Sequence, residues 1–120
     1  MCSSDLAGVR FWTYKVTDIA HVLRGSLPVT ILLAHTPKRL LEAQQLAIPA
    51  VISGHTHGGQ IVLPGLGPIA AREFPVIAGL AQRSGTTIFV SRGVGTIYVP
   101  IRINCPPEVA VLTLEPSTRT

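Results

Sequence analysis

The sequence is poor in charge and in long apolar runs. Charged residues make up only 13% of the 120 residues, and the ten basic side chains form no basic run. Scattered charge with a net value of +4 does not indicate nucleic-acid binding. No apolar stretch approaches the length of about 20 residues that a membrane-spanning helix needs.

Cysteine is also scarce. Cys2 and Cys105 form neither a metal-binding spacing nor a disulfide framework. Hydrophobic residues, by contrast, reach 47% of the chain. For one domain or part of one, this predicts a compact core or an apolar face that packs against other sequence. We treat residues 1–120 as a single partial domain, with 1–6 a candidate non-native stretch and 116–120 an expected flexible tail.

A strand, a helix and a second strand form the predicted centre of the fold. Residues 29–34 and 48–53 are short apolar runs rich in β-branched side chains, which is typical of buried strands. Residues 38–47 between them favour a helix that begins near Pro37. Such a unit predicts a parallel pair of strands joined by a crossover. Further strands are predicted at 6–12, 60–64, 86–91 and 109–114, and a short helix at 16–23.

Three of the four histidines follow the two central strands. His35 comes directly after the first strand, and His55 and His57 come after the second in the stretch SGHTHGGQ. On an extended loop, residues two apart project to the same side, and neutral imidazole is a common metal ligand. The pattern predicts a metal site at the carboxyl ends of the strands. The alternative is an exposed turn with incidental histidines, and His21 is interpreted as a surface residue.

Other polar residues near these strand ends carry weaker hypotheses. Arg92 and Gly93 follow the strand at 86–91, where backbone amides can cradle a phosphate, although a simple turn is the alternative. Gln60 lies beside the histidines, so it is a candidate for orienting a loop or a water molecule. Arg102 and Arg72 are candidates for contact with a substrate phosphate, but both are interpreted as solvated surface arginines.

Four segments in fixed order resemble the carboxyl-terminal half of calcineurin-like metallophosphoesterases, in particular a bacterial phosphodiesterase branch. They are LLAHTP, SGHTHGGQI, VSRGVG and PEVAVLTL. The resemblance extends from about Leu6 to Leu114. It implies an α/β fold of the αββα type, a β-sandwich flanked by helices, of which this chain is an incomplete carboxyl-terminal portion.

The resemblance also implies a chemistry. It makes His35, His55 and His57 ligands of a dinuclear site for two divalent ions, which are Mn, Fe or Zn. The implied reaction is hydrolysis of a phosphate ester, and an envelope or membrane lipid is the suggested substrate. Arg92 and Gly93 are the candidate substrate-binding residues. A cytoplasmic or membrane-associated location in a bacterium is implied as well.

The carboxylate motifs of the family are missing from this sequence. Asp-x-His, Gly-Asp-x-x-Asp and Gly-Asn-His-Glu do not occur. By the resemblance, we expect the bridging carboxylate and the catalytic histidine to lie upstream of this chain. We therefore expect that the isolated chain is inactive and requires an amino-terminal half. The alternative function is a non-catalytic histidine-based metal-binding module, or a structural module that a partner completes.

Overall fold

A computed structural model describes residues 5–9, 16–25 and 29–115. Its helices are α1 (Val16–Val22) and α2 (Leu40–Gln45). Its strands are β1 (Asp5–Val9), β2 (Val29–Ala34), β3 (Ala50–Ser53), β4 (Val62–Leu63), β5 (Gly67–Pro68), β6 (Gly79–Arg83) and β7 (Thr86–Val90). Short 3₁₀ turns lie at Pro37–Arg39 and His57–Gly59.

Five of the strands form one sheet in the order β1-β2-β3-β7-β6. The first four in this order are parallel neighbours, and β6 pairs antiparallel with β7 as a hairpin. The predicted parallel pair is confirmed, since Ile31 to Ala34 of β2 align with Ala50 to Ser53 of β3. The carboxyl ends of β2, β3 and β7 therefore meet at one edge of the sheet. Strands β4 and β5 form a separate two-stranded ribbon.

The core lies between one face of the sheet and the two helices. Alternating strand residues point into it, because successive side chains of a strand point to opposite faces. They are Ala7, Leu32, Ala34, Val51, Ile88 and Val90, and all are buried. Ile19 of α1 together with Leu40 and Ala43 of α2 covers them. The core fixes the sheet register and hence the positions of the strand ends.

Helix α2 is shorter than predicted because its first turn is a 3₁₀ turn. Thr36 caps that turn, with its Oγ1 accepting a hydrogen bond from the Lys38 N–H at 3.4 Å, and Pro37 occupies the first position. The helix ends at Gln45, and Ala47 with a positive φ of 54° lets the chain turn back. The Ile48 N–H then donates to the Ala43 carbonyl at 2.9 Å, which starts the approach to β3.

The fold class is confirmed as mixed α/β, but one predicted strand was wrong and one observed strand was missed. No strand occurs at residues 109–114, because among the described residues no strand lies beside this segment to accept its backbone hydrogen bonds. The strand β6 was not predicted. Residues 10–12 of the first predicted strand lie outside the described residues, as do 1–4 and the predicted tail at 116–120.

The second face of the sheet is apolar and open in the described part of the chain. Leu6 and Leu80 are 63% and 73% exposed, and Leu33 between them is also exposed. A groove of about 480 Å³ runs along this face to His35 at the carboxyl end of β2. None of the helices described is long and apolar enough to cross a bilayer.

Candidate metal centre

The loop after β3 has an unusual backbone. His55 and His57 have φ values of 70° and 52°, and non-glycine residues seldom adopt positive φ. Such conformations cost about 1–3 kcal/mol each and persist where surrounding contacts impose them, often at functional sites. The Gly54 N–H donates to the His35 carbonyl at 3.2 Å, which ties the loop after β3 to the end of β2.

Thr56 supplies the contacts that hold this backbone in place. Its buried hydroxyl donates to the Ile77 carbonyl at 2.6 Å and accepts from the Gly58 N–H at 3.2 Å. One side chain thus joins the histidine loop to the segment before β6 and caps the 3₁₀ turn at His57–Gly59. The position of both histidines depends on this residue, which no sequence motif marked.

His35 and His55 face one another across the adjacent strand ends. His35 Nε2 lies 2.8 Å from His55 Nδ1, and the ring centroids are 4.7 Å apart. Phe74 contacts the His55 ring edge-on with centroids 5.6 Å apart, and the Lys38 ammonium lies 4.9 Å from the Phe74 centroid. One of these two nitrogens donates its proton to the other, so the two imidazoles face each other, with the Phe74 ring beside them.

The surroundings of His55 favour its neutral form. Burial lowers the pKa of His55, and the nearby His35, His57 and Lys38 lower it further, while Glu73 acts weakly in the opposite direction. Neutral imidazole is the form that binds a metal ion, because the ligand nitrogen must carry a free lone pair. The electrostatics of the His35–His55 pair are thus suited to ligation.

His57 is oriented differently. Its Nδ1 lies 3.4 Å from the Gly95 carbonyl, in the loop that follows β7. A carbonyl oxygen can only accept, so Nδ1 is the donor in this contact, and a neutral His57 then has its lone pair on Nε2. Among residues 5–9, 16–25 and 29–115, no three histidine, cysteine or acidic side chains converge closely enough to hold an ion.

The described residues therefore fit a metal ion in part. His35 and His55 bring two imidazoles, the right chemistry for a ligand, to adjacent strand ends, and His57 adds a third imidazole on the loop of His55. A complete site needs donors beyond those that this part of the chain brings together. The ligand roles of the three histidines stay a prediction.

Arg92 and Gly93 lie at the same edge of the sheet, directly after β7. The Arg92 guanidinium pairs with Glu108, Nη2 to Oε1 at 3.3 Å, and the Arg92 N–H donates to Glu108 Oε2 at 3.0 Å. The Gly93 N–H donates to Ser91 Oγ at 3.1 Å. Their predicted contact with substrate stays a prediction, and an anion that approaches Arg92 competes with Glu108.

Two side chains hold the loop after β7 against the histidine loop. The buried Gln60 donates to the carbonyls of Ile97 and Val99 at 3.0 and 2.9 Å, and it accepts from the Ile97 N–H at 2.7 Å. Its predicted role in orienting a loop agrees with these contacts. Arg102 binds several backbone carbonyls, so its interpretation as a solvated surface residue was wrong.

Relatives of this chain are metallophosphoesterases. The uncharacterized metallophosphoesterase YkuE of Bacillus subtilis is 40% identical over 88 residues, which are 72% of this chain and 31% of that protein. An uncharacterized metallophosphoesterase of Helicobacter pylori strain J99 is 42% identical over 104 residues, 85% of this chain and 28% of that protein. The phosphodiesterase YaeI of Escherichia coli is 35% identical over 88 residues, which are 70% of this chain and 32% of that protein. No family model and no solved structure matches the chain.

These similarities show that the chain belongs to the metallophosphoesterases. The chain belongs to the calcineurin-like metallophosphoesterase family and corresponds to the carboxyl-terminal part of its relatives. It spans about a third of the length of the three relatives described above.

Proposed function

We propose that this chain is the carboxyl-terminal part of a hydrolase that cleaves phosphate esters with the help of divalent metal ions. His35, His55 and His57 are the ligands that it contributes. The observation that carries the proposal is the 2.8 Å approach of two imidazole nitrogens at the carboxyl ends of adjacent parallel strands. Ligand sites of α/β sheets gather at this edge.

The proposed cofactors are two divalent ions of Mn, Fe or Zn. Imidazole with carboxylate is a donor set that all three accept. Bound there, such ions would supply Lewis-acid stabilisation of the charge that develops on the phosphoryl oxygens. The chain's own contribution is to hold neutral imidazoles in place, and the lowered pKa of His55 supports this.

An amino-terminal half has to complete this site. Two close divalent cations repel one another, and neutral imidazoles alone do not offset that repulsion. The relatives are about three times as long as the matched segment, and the open apolar face at Leu6, Leu33 and Leu80 is suited to further protein. We infer that the isolated chain does not hydrolyse phosphate esters.

The proposed substrate is a phosphate ester, and an envelope or membrane lipid is the favoured kind. Exposed apolar side chains lie on the loop that contacts His57, among them Val94, Ile97 and Tyr98, so an acyl chain would find an apolar surface beside the phosphate. Arg92 and Gly93 are proposed to contact the phosphate itself. Charge distribution offers no support for nucleic acid as the substrate.

A chimera tests the proposal. The amino-terminal portion of the Bacillus relative is joined to this chain in place of its own matched segment, and hydrolysis of bis-p-nitrophenyl phosphate is measured with manganese or zinc. We expect turnover from the chimera and none from the 120-residue chain. Loss of a residue that orients a metal ligand costs about 10- to 100-fold in activity, and loss of the ligand itself should cost more. His55→Ala is therefore expected to lower the activity of the chimera by at least about 100-fold.

The exposed His21 on α1 supplies the matched control, since His21→Ala removes an imidazole distant from the strand ends. Activity unchanged in His35→Ala and His55→Ala would refute the ligand assignment. Binding of one ion by the 120-residue chain, with no hydrolysis by the chimera, would instead favour the metal-binding module.

A further inference from the structure

Arg102 makes more polar contacts with the backbone than its sequence context suggests. Its Nη2 donates to the carbonyls of Arg92 at 2.8 Å, Gly95 at 2.7 Å and Gly93 at 3.2 Å. Its Nη1 donates to the carbonyls of His57 at 3.2 Å and Cys105 at 3.1 Å, and its Nε donates again to Gly95 at 3.1 Å. Five carbonyl oxygens thus surround one guanidinium.

Such a cluster of carbonyls needs a cation with many donors. Guanidinium presents five N–H groups in a rigid planar fork, whereas a lysine ammonium presents three on a flexible stem. Without Arg102, the carbonyls of Arg92 and Cys105 lose a hydrogen bond, whereas those of His57 and Gly93 keep the N–H groups of Gln60 and Glu108. An unsatisfied buried acceptor costs about 1–3 kcal/mol. The loop from Arg92 to Cys105 therefore folds around this side chain.

Two of the five carbonyls that Arg102 binds belong to His57 or contact it. One is its own carbonyl, and the other belongs to Gly95, which lies 3.4 Å from His57 Nδ1. Arg102 thus holds both the backbone of His57 and the acceptor that fixes its ring. A ligand histidine commonly has its second nitrogen bound to such an acceptor, which sets the tautomer and the ring orientation.

We propose that Arg102 is the positioning residue of His57, which it keeps in the Nδ1–H tautomer with Nε2 open toward a ligand. This inference rests on the proposed function, in which His57 is a metal ligand. Arg102 acts through the Gly95 carbonyl and touches neither substrate nor metal.

The tautomer of His57 is measurable without metal and without turnover. Histidine nitrogens of the 120-residue chain are observed by two-bond ¹H–¹⁵N NMR in the presence of a chelator, and His57→Gln assigns the signal. In the unchanged chain we expect His57 to carry its proton on Nδ1. In Arg102→Ala this preference is lost, while the signals of His35 and His55 keep their positions because their mutual contact is independent of Arg102.

Two further variants separate positioning from general stability. Arg102→Lys keeps the positive charge but cannot form the fork, so it is expected to behave like Arg102→Ala. Guanidinium at millimolar concentration is expected to restore the Nδ1–H signal of Arg102→Ala. Arg83→Ala is the matched control, because the side chain of the exposed Arg83 donates only to the neighbouring Gln82 carbonyl in the described contacts.

Zinc affinity of the chimera supplies the second measurement. Loss of a residue that orients a ligand costs about 10- to 100-fold in metal affinity, and Arg102→Ala is expected within that range. The inference is overturned if the unchanged chain shows no Nδ1–H preference at His57, or if Arg102→Ala and Arg102→Lys both retain it. Failure of the proposed function has a different signature, an inactive chimera in which the tautomer still depends on Arg102.

Discussion

Gly59 follows the histidine loop at the point where the β4–β5 ribbon packs against it. Its φ is +81°, and a Cβ atom added there would lie 2.4 Å from Pro68 Cβ and 3.4 Å from the Ala70 carbonyl oxygen. Real Cβ atoms do not approach another carbon so closely, and the proline ring is rigid. Gly59→Ala therefore meets two separate penalties, one from the backbone conformation and one from the contact.

The magnitude follows from adding these penalties. A left-handed conformation costs an alanine about 1–2 kcal/mol relative to glycine. Forcing a methyl group into an occupied space costs about 1–3 kcal/mol more. The free energy of unfolding should therefore fall by about 2–5 kcal/mol in Gly59→Ala. Gly65→Ala is the matched control, because Gly65 has a φ of +76° but open space around its would-be Cβ.

Urea denaturation followed by far-ultraviolet circular dichroism measures both variants. Gly65→Ala should lose only the backbone part, so the two variants should differ by about 1–3 kcal/mol at an unchanged m value. Equal destabilisation within about 0.5 kcal/mol would refute the argument, because the close approach of the ribbon to Gly59 would then have no energetic consequence.

Further variants test two side-chain hydrogen bonds of the fold and the electrostatics of the site. Thr56→Val keeps the shape of the side chain but removes the hydroxyl, so its free energy of unfolding, measured by urea denaturation, should fall by about 1–3 kcal/mol. Thr56→Ser keeps the hydroxyl and should lose less, and equal losses in the two variants would contradict the argument. Thr86→Val removes the 2.9 Å hydrogen bond to the Ile48 carbonyl beside β3, and a loss of about 1–2 kcal/mol is expected by the same assay, with no loss as the contrary result. In metal-free protein the pKa of His55 should lie below its ordinary value of about 6.5 by NMR titration. Because the unfolded chain then binds this proton more readily, stability should fall as the pH drops through that value, and a raised pKa would contradict the assignment.

Local patterns predicted the central strands well and the edges of the fold poorly. Residues 29–34 match β2 because an apolar run with β-branched residues is typical of a strand, and Leu32 and Ala34 within it are buried in the core. Strand β6 has no β-branched residue, and its hairpin pairing with β7 through a turn at Ser84 and Gly85 stabilises it instead. Residues 109–114 carry a strand pattern, but a strand also needs a neighbour, which a local pattern does not supply.

The part of the candidate site that follows directly from the ends of the strands could be predicted from the sequence. His35 and His55 lie at one edge because β2 and β3 are parallel, and the sequence predicted this arrangement. The turn of His57 toward Gly95 depends on a positive φ, which spacing alone did not reveal. The role of Arg102 depends on a loop that folds back over residues distant in sequence, so a local sequence pattern could not predict its hydrogen-bond partners.

The pairing of β3 with β7 has a consequence for the order of assembly during synthesis. The Ser53 carbonyl accepts from the Ser91 N–H at 2.9 Å, and the Pro49 carbonyl accepts from the Thr87 N–H at 2.8 Å. Residues 54–85 are therefore synthesised after β3 and before its partner β7. A growing chain that has not passed residue 86 contains His35, His55 and His57, yet β3 is still an unprotected edge. Because non-local strand pairing is slow, we expect the histidine loop to gain its final shape only after β7 has paired with β3.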